Sequence, residues 1–282
     1  MKVDLIYATW PDRHGALEWY KMAAAVREAG LTGRLETAGF DVTEHVLEAT
    51  GPDASDIKHA FLLAGRIGPI VRANREADGL AVIVTGSCTV ASLGAISGLG
   101  GENTGVLWMD AHPDLNTPAT TLSGMLEGMA ASVILGEAWQ AMADKYANLV
   151  AVSRRLLCLY GTRDIDPAEE ELIDEEHIPN TMEVEEIIGV MEDCERLYIH
   201  LDMDVHNARN LRANAFAQKG GPSPAKVRKD LAMLAEVLPV AAIGVTAIDP
   251  LRGRPEQAIP CAIDYVQAVC EARRAAMAED GG

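Results

Sequence analysis

The sequence predicts an α/β fold, a three-layer α/β/α sandwich around a parallel sheet. Short, β-branched apolar runs alternate with longer segments of helical period, the pattern of βαβ units. Several runs are almost continuously apolar, as strands buried on both faces require. No linker composition or internal repeat interrupts the alternation, so residues 1–282 are expected to form a single domain.

Strands are expected at Val3–Ala8, Asp41–Leu47, Leu80–Thr85, Val106–Met109, Leu156–Tyr160, Arg196–Leu201 and Ala241–Ile248. Helices are expected at Leu17–Ala29, Ser55–Asp78, Leu126–Leu135, Pro167–Asp174, Val184–Met191, Ser223–Leu238 and Glu256–Met277. The stretch from Leu80 to Gly101 carries no charge and is long enough to span a bilayer. Its glycines and hydroxyl residues read better as a strand, a turn and a helix. Gly98-Leu99-Gly100-Gly101 then ends that helix; a phosphate-cradling loop would follow a strand instead.

The chain has 42 acidic residues against 24 Lys and Arg, a net charge of −18. That balance argues against nucleic acid or an anionic membrane as partner, and suits a small cationic ligand. Five cysteines without a CxxC pair read as reduced thiols, and no long apolar stretch follows the N-terminus. Both point to a cytoplasmic protein.

The strongest local signal is Asp110-Ala111-His112-Pro113-Asp114, directly after an apolar run. In an extended chain, residues two apart share a face, so Asp110, His112 and Asp114 are expected to point together. Asp202 and Asp204 repeat the pattern after a second run. A single Asp-x-Asp is commonly a cap or turn. Two such clusters, one with His, would repel one another if brought together unless a cation neutralised them. Carboxylates with one imidazole suit Mn²⁺, and a paired site would hold two ions about 3.5–4 Å apart.

These segments resemble the ureohydrolase superfamily of arginase, agmatinase and formimidoylglutamase. The blocks that carry the resemblance are Asp110–Pro118, Ser123–Met129, Gly161–Pro167 and Leu201–Asp204. The resemblance implies a single catalytic domain hydrolysing a guanidino-type C–N bond, with two Mn²⁺ ions bridged by hydroxide. Asp110 and Asp202 would bridge both ions, Asp114 would bind the first, and His112 and Asp204 the second. Asn116, Thr121 and Ser123 would hold an α-carboxylate, and Asp166 and Glu169 an α-amino group. Asp166 also reads as a helix cap before Pro167. The resemblance further implies a homo-oligomer, a trimer or hexamer.

The sequence departs from the family at several places. Cys88 stands where the first metal-binding His is expected, so one metal site is secure and the other is weak in Mn²⁺, empty or suited to a softer ion, with Cys88 either its ligand or a small buried residue that binds no metal. A similar Cys marks the hydroxy-arginine hydrolase offshoot. Glu127 replaces a proton-shuttling His, and with Asp114 is the candidate catalytic residue. Met125 replaces an Asn, and Asn207 replaces a late Asp, with His206 beside it. Ala247 replaces a Glu that faces the guanidinium, and Asp249, two residues on, is the expected substitute. The reading is a hydrolase of arginine or Nω-hydroxy-arginine. An agmatinase- or formimidoylglutamase-type enzyme and a non-catalytic protein of the same fold are the alternatives.

Overall fold

The computed structural model describes residues 1–10, 19–49 and 55–280. Seven parallel strands form one sheet: β1 (Lys2–Thr9), β2 (Asp41–Glu48), β3 (Leu80–Thr85), β4 (Thr104–Met109), β5 (Leu157–Tyr160), β6 (Arg196–Asp202) and β7 (Val240–Thr246). Their order is β2-β1-β3-β7-β6-β4-β5. The inner strands β3 and β4 are buried at every position, while the edge strand β2 is only partly covered. Each Leu, Ile or Val of β3 buried in this way stabilises the fold by about 1.5–3 kcal/mol.

Helices cover both faces. One face carries α1 (Met22–Glu28), α2 (Leu31–Thr37), α8 (Val184–Met191), α9 (Pro224–Val237) and α10 (Pro255–Asp280). The other carries α3 (Asp56–Glu76), α4 (Cys88–Leu99), α5 (Ala130–Ile134) and α6 (Gln140–Ala147). The three-layer α/β/α arrangement is thus the one the alternating pattern predicts. α7 (Pro167–Glu175) follows β5.

The differences are local. The N-terminal part of the expected Leu17–Ala29 helix lies outside the described residues, and its remainder is a single turn at Trp19–Lys21 followed by α1. Leu126–Leu135 splits into a single turn and the short α5. α2 and α6 were not expected: α2 is short, and only Leu31 and Leu35 mark its buried face among Thr32, Gly33 and Thr37. β7 ends at Thr246 rather than Ile248, because Ala247 turns into the left-handed region at φ +60°. Gly98 ends no helix: it lies within α4, against Val71 and the Gly68 carbonyl of α3, where a Cβ would collide. Gly100, at φ +80°, is the residue that stops α4.

Parallel pairing brings distant residues together at the carboxyl ends of the strands. Met109 of β4 pairs with Leu201 of β6, and Asp202 pairs with Thr246 of β7. β7 in turn lies beside β3, whose end leads through Gly86 and Ser87 into α4. Ligands of open α/β sheets bind at this edge.

Candidate metal centre

Asp110 follows β4 and Asp202 ends β6, so pairing of these two strands places their carboxylates side by side. The geometry beyond them is not that of an extended chain. His112 N–H donates to Asp110 Oδ1 at 2.8 Å, and Asp204 N–H donates to Asp202 Oδ1 at 2.8 Å. Both Asp-x-X segments are therefore tight Asx-type turns. Asp114 has φ +52°, and Asp202 caps the single helical turn at Met203–Val205. The side chains converge because the chain curls at each strand end, which corrects the expectation of a shared pleat face. The turn and ligand readings of these aspartates coexist.

Two sets of donor atoms result. Asp110, His112 and Asp204 form one, with all ligand atoms within 4.8 Å of one another. His112 Nδ1 lies 3.2 Å from Asp110 Oδ1 and 3.5 Å from Asp204 Oδ2. Cys88, Asp110, His200 and Asp202 form the other, within the same spacing. The Cys88 thiol donates to Asp202 Oδ2 at 3.3 Å, beside Thr246 Oγ1 at 3.6 Å. Asp110 belongs to both sets. Asp114 is buried and lines the same cavity but joins neither.

The electrostatics match this crowding. Burial, then the Asp204 carboxylate, push Asp110 up to about 7, against the pull of His112. Burial and neighbouring carboxylates push Asp114 and Asp202 well above the usual range. Burial and Asp202 likewise raise the Cys88 thiol. Burial would lower His112, but Asp204 and Asp110 outweigh it and hold the imidazole up to about 10. Asp204 is the exception, held low against burial by His112 and by hydrogen bonds. Carboxylates that resist ionisation until a positive charge arrives are the donor chemistry of a divalent-cation site. The Asp110–His112–Asp204 set fits a hard divalent ion.

The centre opens into a cavity of about 260 Å³. Glu127 lines it, with Ser87 Oγ donating to its carboxylate at 2.9 and 3.0 Å and Thr89 N–H donating at 3.2 Å. Asn116, Ser123, Asp166 and Glu169 also line the cavity. Asn116 Nδ2 donates to Asp166 Oδ2 at 3.0 Å. Glu169 accepts from the Leu115 and Asp166 N–H groups at 2.9 and 3.0 Å, tying the start of α7 to the Asp110–Asn116 loop. Thr121 does not line the cavity; its hydroxyl accepts from Gly124 N–H and lies 3.5 Å from Ser123 Oγ.

Asp249 is not brought to the cavity. It is fully buried, and its Oδ1 accepts from the N–H groups of Leu251 and Arg252. The left-handed Ala247 breaks the two-residue alternation on which the expected placement rested. Ala247 itself lines the cavity. Asn207 and His206 also lie away from it: Asn207 Oδ1 accepts from Arg209 N–H, and buried His206 contacts the Tyr265 hydroxyl at 3.2 Å.

The structure adds residues that the sequence did not single out. Trp19 and Phe216 meet edge-to-face at 5.8 Å on the cavity wall. Asn214 Nδ2 reaches both Asp204 Oδ2, at 3.2 Å, and the Ala247 carbonyl, at 3.0 Å. Arg163 donates to the carbonyls of Asp204, His206, Gln218 and Lys219, holding the loop after Asp204. His200, fully buried within β6, stacks on Trp108 at 3.7 Å. A polar residue inside an apolar strand, two before Asp202, was the signal available for it.

Comparison with known proteins gives a consistent placement. The chain is 25% identical over 273 residues to an arginase of Brevibacillus brevis, covering 87% of this chain and 90% of that one. It is 27% identical over 261 residues to an arginase of Schizosaccharomyces pombe, covering 83% and 80%. The crystal structure of arginase from Bacillus cereus superposes with a TM-score of 0.86 at 21% identity, covering 95% of this chain and 98% of that one. Formimidoylglutamase from Bacillus subtilis superposes with a TM-score of 0.76 at 15% identity, covering 96% and 86%. The profile of the Arginase family matches residues 25–270. The chain therefore belongs to the arginase family and is a hydrolase acting on amidino C–N bonds.

Proposed function

We propose that the protein is a Mn²⁺-dependent amidinohydrolase acting on an arginine-like amino acid, either arginine or Nω-hydroxy-arginine. The carrying observation is the pair of donor sets sharing Asp110 at the floor of an open cavity. A divalent ion bound there would polarise the substrate carbon and lower the pKa of water. In this reading Asp110, His112 and Asp204 would hold the ion of the oxygen-rich set, with Asp202 in the neighbouring set, and Asp114, buried in the same cavity, would orient the attacking water. Water adds to the guanidino carbon, the bond to the side-chain nitrogen breaks, and that nitrogen takes up a proton. Glu127, oriented by Ser87 and the Thr89 N–H, delivers this proton to the leaving amine.

In this reading Asn116 and Ser123, which line the cavity, bind the α-carboxylate with Thr121 beside Ser123, and Asp166 and Glu169 meet the α-amino group. Agmatine lacks that carboxylate. At the other end, Ala247 offers no carboxylate to a guanidinium and Asp249 is turned away. This supports a less basic head group, such as an N-hydroxyguanidine. The test is product release from arginine, hydroxy-arginine, agmatine and formimidoylglutamate. Hydroxyurea release from hydroxy-arginine should exceed urea release from arginine, and the reverse order would refute the head-group assignment. Turnover of none of the four, with metal bound, would refute the substrate class.

Five free cysteines, four of them buried, support a cytoplasmic location. Among the described residues no helix is long and apolar enough to cross a membrane. The reading includes a single catalytic domain that assembles as a trimer or hexamer, which sedimentation velocity would check.

A further inference from the structure

The two donor sets differ in chemistry. The set of Asp110, His112 and Asp204 is oxygen-rich with one imidazole. The set of Cys88, His200, Asp202 and Asp110 combines a thiol, an imidazole and two carboxylates. Mn²⁺ sits at the weak end of the affinity order, and thiolate ligands favour softer ions. This second donor set does not fit Mn²⁺ well.

His200 decides the matter. It does not line the cavity, so substrate contact cannot account for its place in the strand. Its ring is fixed on both sides. One face stacks on Trp108 at 3.7 Å, nearly parallel at 13°. Its Nδ1 lies 3.1 Å from the Tyr198 hydroxyl. With the phenol oxygen accepting from Nδ1–H, Nε2 keeps its lone pair for a cation. Nε2 lies 3.5 Å from Thr246 Oγ1, on the side of Cys88 and Asp202. Space for the tyrosine that sets this tautomer is built into the neighbouring strand. A Cβ at Gly244 would collide with the Tyr198 hydroxyl, and β7 carries glycine there.

We infer that Cys88 and His200, with Asp202 and Asp110, form a site for a thiophilic divalent cation such as Zn²⁺ or Co²⁺, distinct in selectivity from the neighbouring oxygen-rich site. The inference rests on the hydrolase reading above and specifies its metal content: two unlike ions instead of two Mn²⁺. Binding displaces the Cys88 proton to solvent and leaves a thiolate ligand. A tetrahedral ion with sulfur at about 2.3 Å and oxygen at about 2.0 Å sets those atoms roughly 3.5 Å apart. The Cys88 Sγ to Asp202 Oδ2 separation is 3.3 Å.

The test uses the full chain, stripped with chelator and reloaded with Co²⁺, Zn²⁺ or Mn²⁺, alone and in competition. Bound metal is counted by mass spectrometry, and Co²⁺ is followed by its absorption. The expected result is one site that takes Zn²⁺ or Co²⁺ ahead of Mn²⁺, with a thiolate-to-cobalt charge-transfer band in the near ultraviolet. Cys88→Ser should remove the band and one bound ion while the other ion remains. His200→Phe keeps the stack on Trp108 without the nitrogen, and should weaken Co²⁺ at this site at least tenfold. His200→Gln is the second variant should Phe disturb folding, with retention of the other ion as the folding control.

A cobalt spectrum without the thiolate band, or one unchanged in Cys88→Ser, would overturn the inference. So would unchanged Co²⁺ affinity in both His200 variants. Failure of the inference alone leaves Mn²⁺ binding and turnover intact, whereas a protein that binds no divalent ion would remove the proposed function as well.

Discussion

Chelator-treated protein is expected to lose thermal stability as pH rises from about 5 to about 8. Asp110 carries the effect. Burial and the Asp204 carboxylate raise its folded-state pKa from 3.8 to about 7. Because the folded value lies above the unfolded one, the contribution is fully present below 3.8 and is lost as pH rises through about 7. Between about pH 5 and pH 7 that is roughly two pK units, or about 3 kcal/mol at ~1.36 kcal/mol per unit. For a chain of this size the loss corresponds to roughly 5–10 °C in Tm. Asp114 and Asp202, raised chiefly by burial, act in the same direction. So does His112, whose contribution is full below 6.5 and declines towards about 10. The depressed Asp204 titrates below 3.8, outside the window. A saturating divalent cation binds the deprotonated carboxylates and should reverse the slope. Differential scanning fluorimetry at constant ionic strength, with chelator or with Mn²⁺, reads both slopes, and Asp110→Asn should flatten the chelated one. A chelated Tm that stays flat or rises from about pH 5 to about pH 8 would refute the reasoning.

Three further outcomes can be checked. Gly244→Ala should cost about 1–3 kcal/mol in urea denaturation through overpacking against the Tyr198 hydroxyl, and Tyr198→Phe should recover part of that loss; an additive double mutant would disprove the clash. Asp249→Ala removes the acceptor of two backbone N–H groups and should cost about 1–3 kcal/mol with KM near wild type. A raised KM with unchanged stability would return Asp249 to the substrate. Ser87→Ala releases one partner of Glu127 and should lower kcat roughly tenfold, a part of the about 10²–10⁴ that general acid–base catalysis contributes, while KM holds; unchanged kcat across the pH range would remove Glu127 from proton transfer.

What the sequence made legible follows from where periodicity and burial agree. Leu80–Thr85 and Val184–Met191 have the bounds expected, because a buried strand and an amphipathic helix each write their period plainly. Asp110, His112, Asp202 and Asp204 were identifiable because ionisable groups follow apolar runs, although turns rather than a pleat bring them together. Asp249 was misplaced because a left-handed Ala247 gives no signal in residue type. Asn214 and Phe216 reach the cavity from a segment without regular period, and Trp19 from the single turn that leads into α1, where only the tertiary fold assigns a position at the cavity. His200 shows in the sequence only as a polar residue in an apolar strand, and its environment takes on meaning once β7 and β4 are placed on either side of β6.

The pairing of β4 with β6 has a consequence for assembly of the chain. Met109 faces Leu201, and a one-residue slip would displace Asp110 from Asp202 by about 3.3 Å and reverse every side chain of the strand. An ion shared by these two carboxylates tolerates no such slip. A cation bound there would work as a register pin, rewarding the one alignment of two strands whose paired residues are ninety-two positions apart. Metal uptake during refolding should therefore report completion of the sheet, ahead of any catalytic measurement.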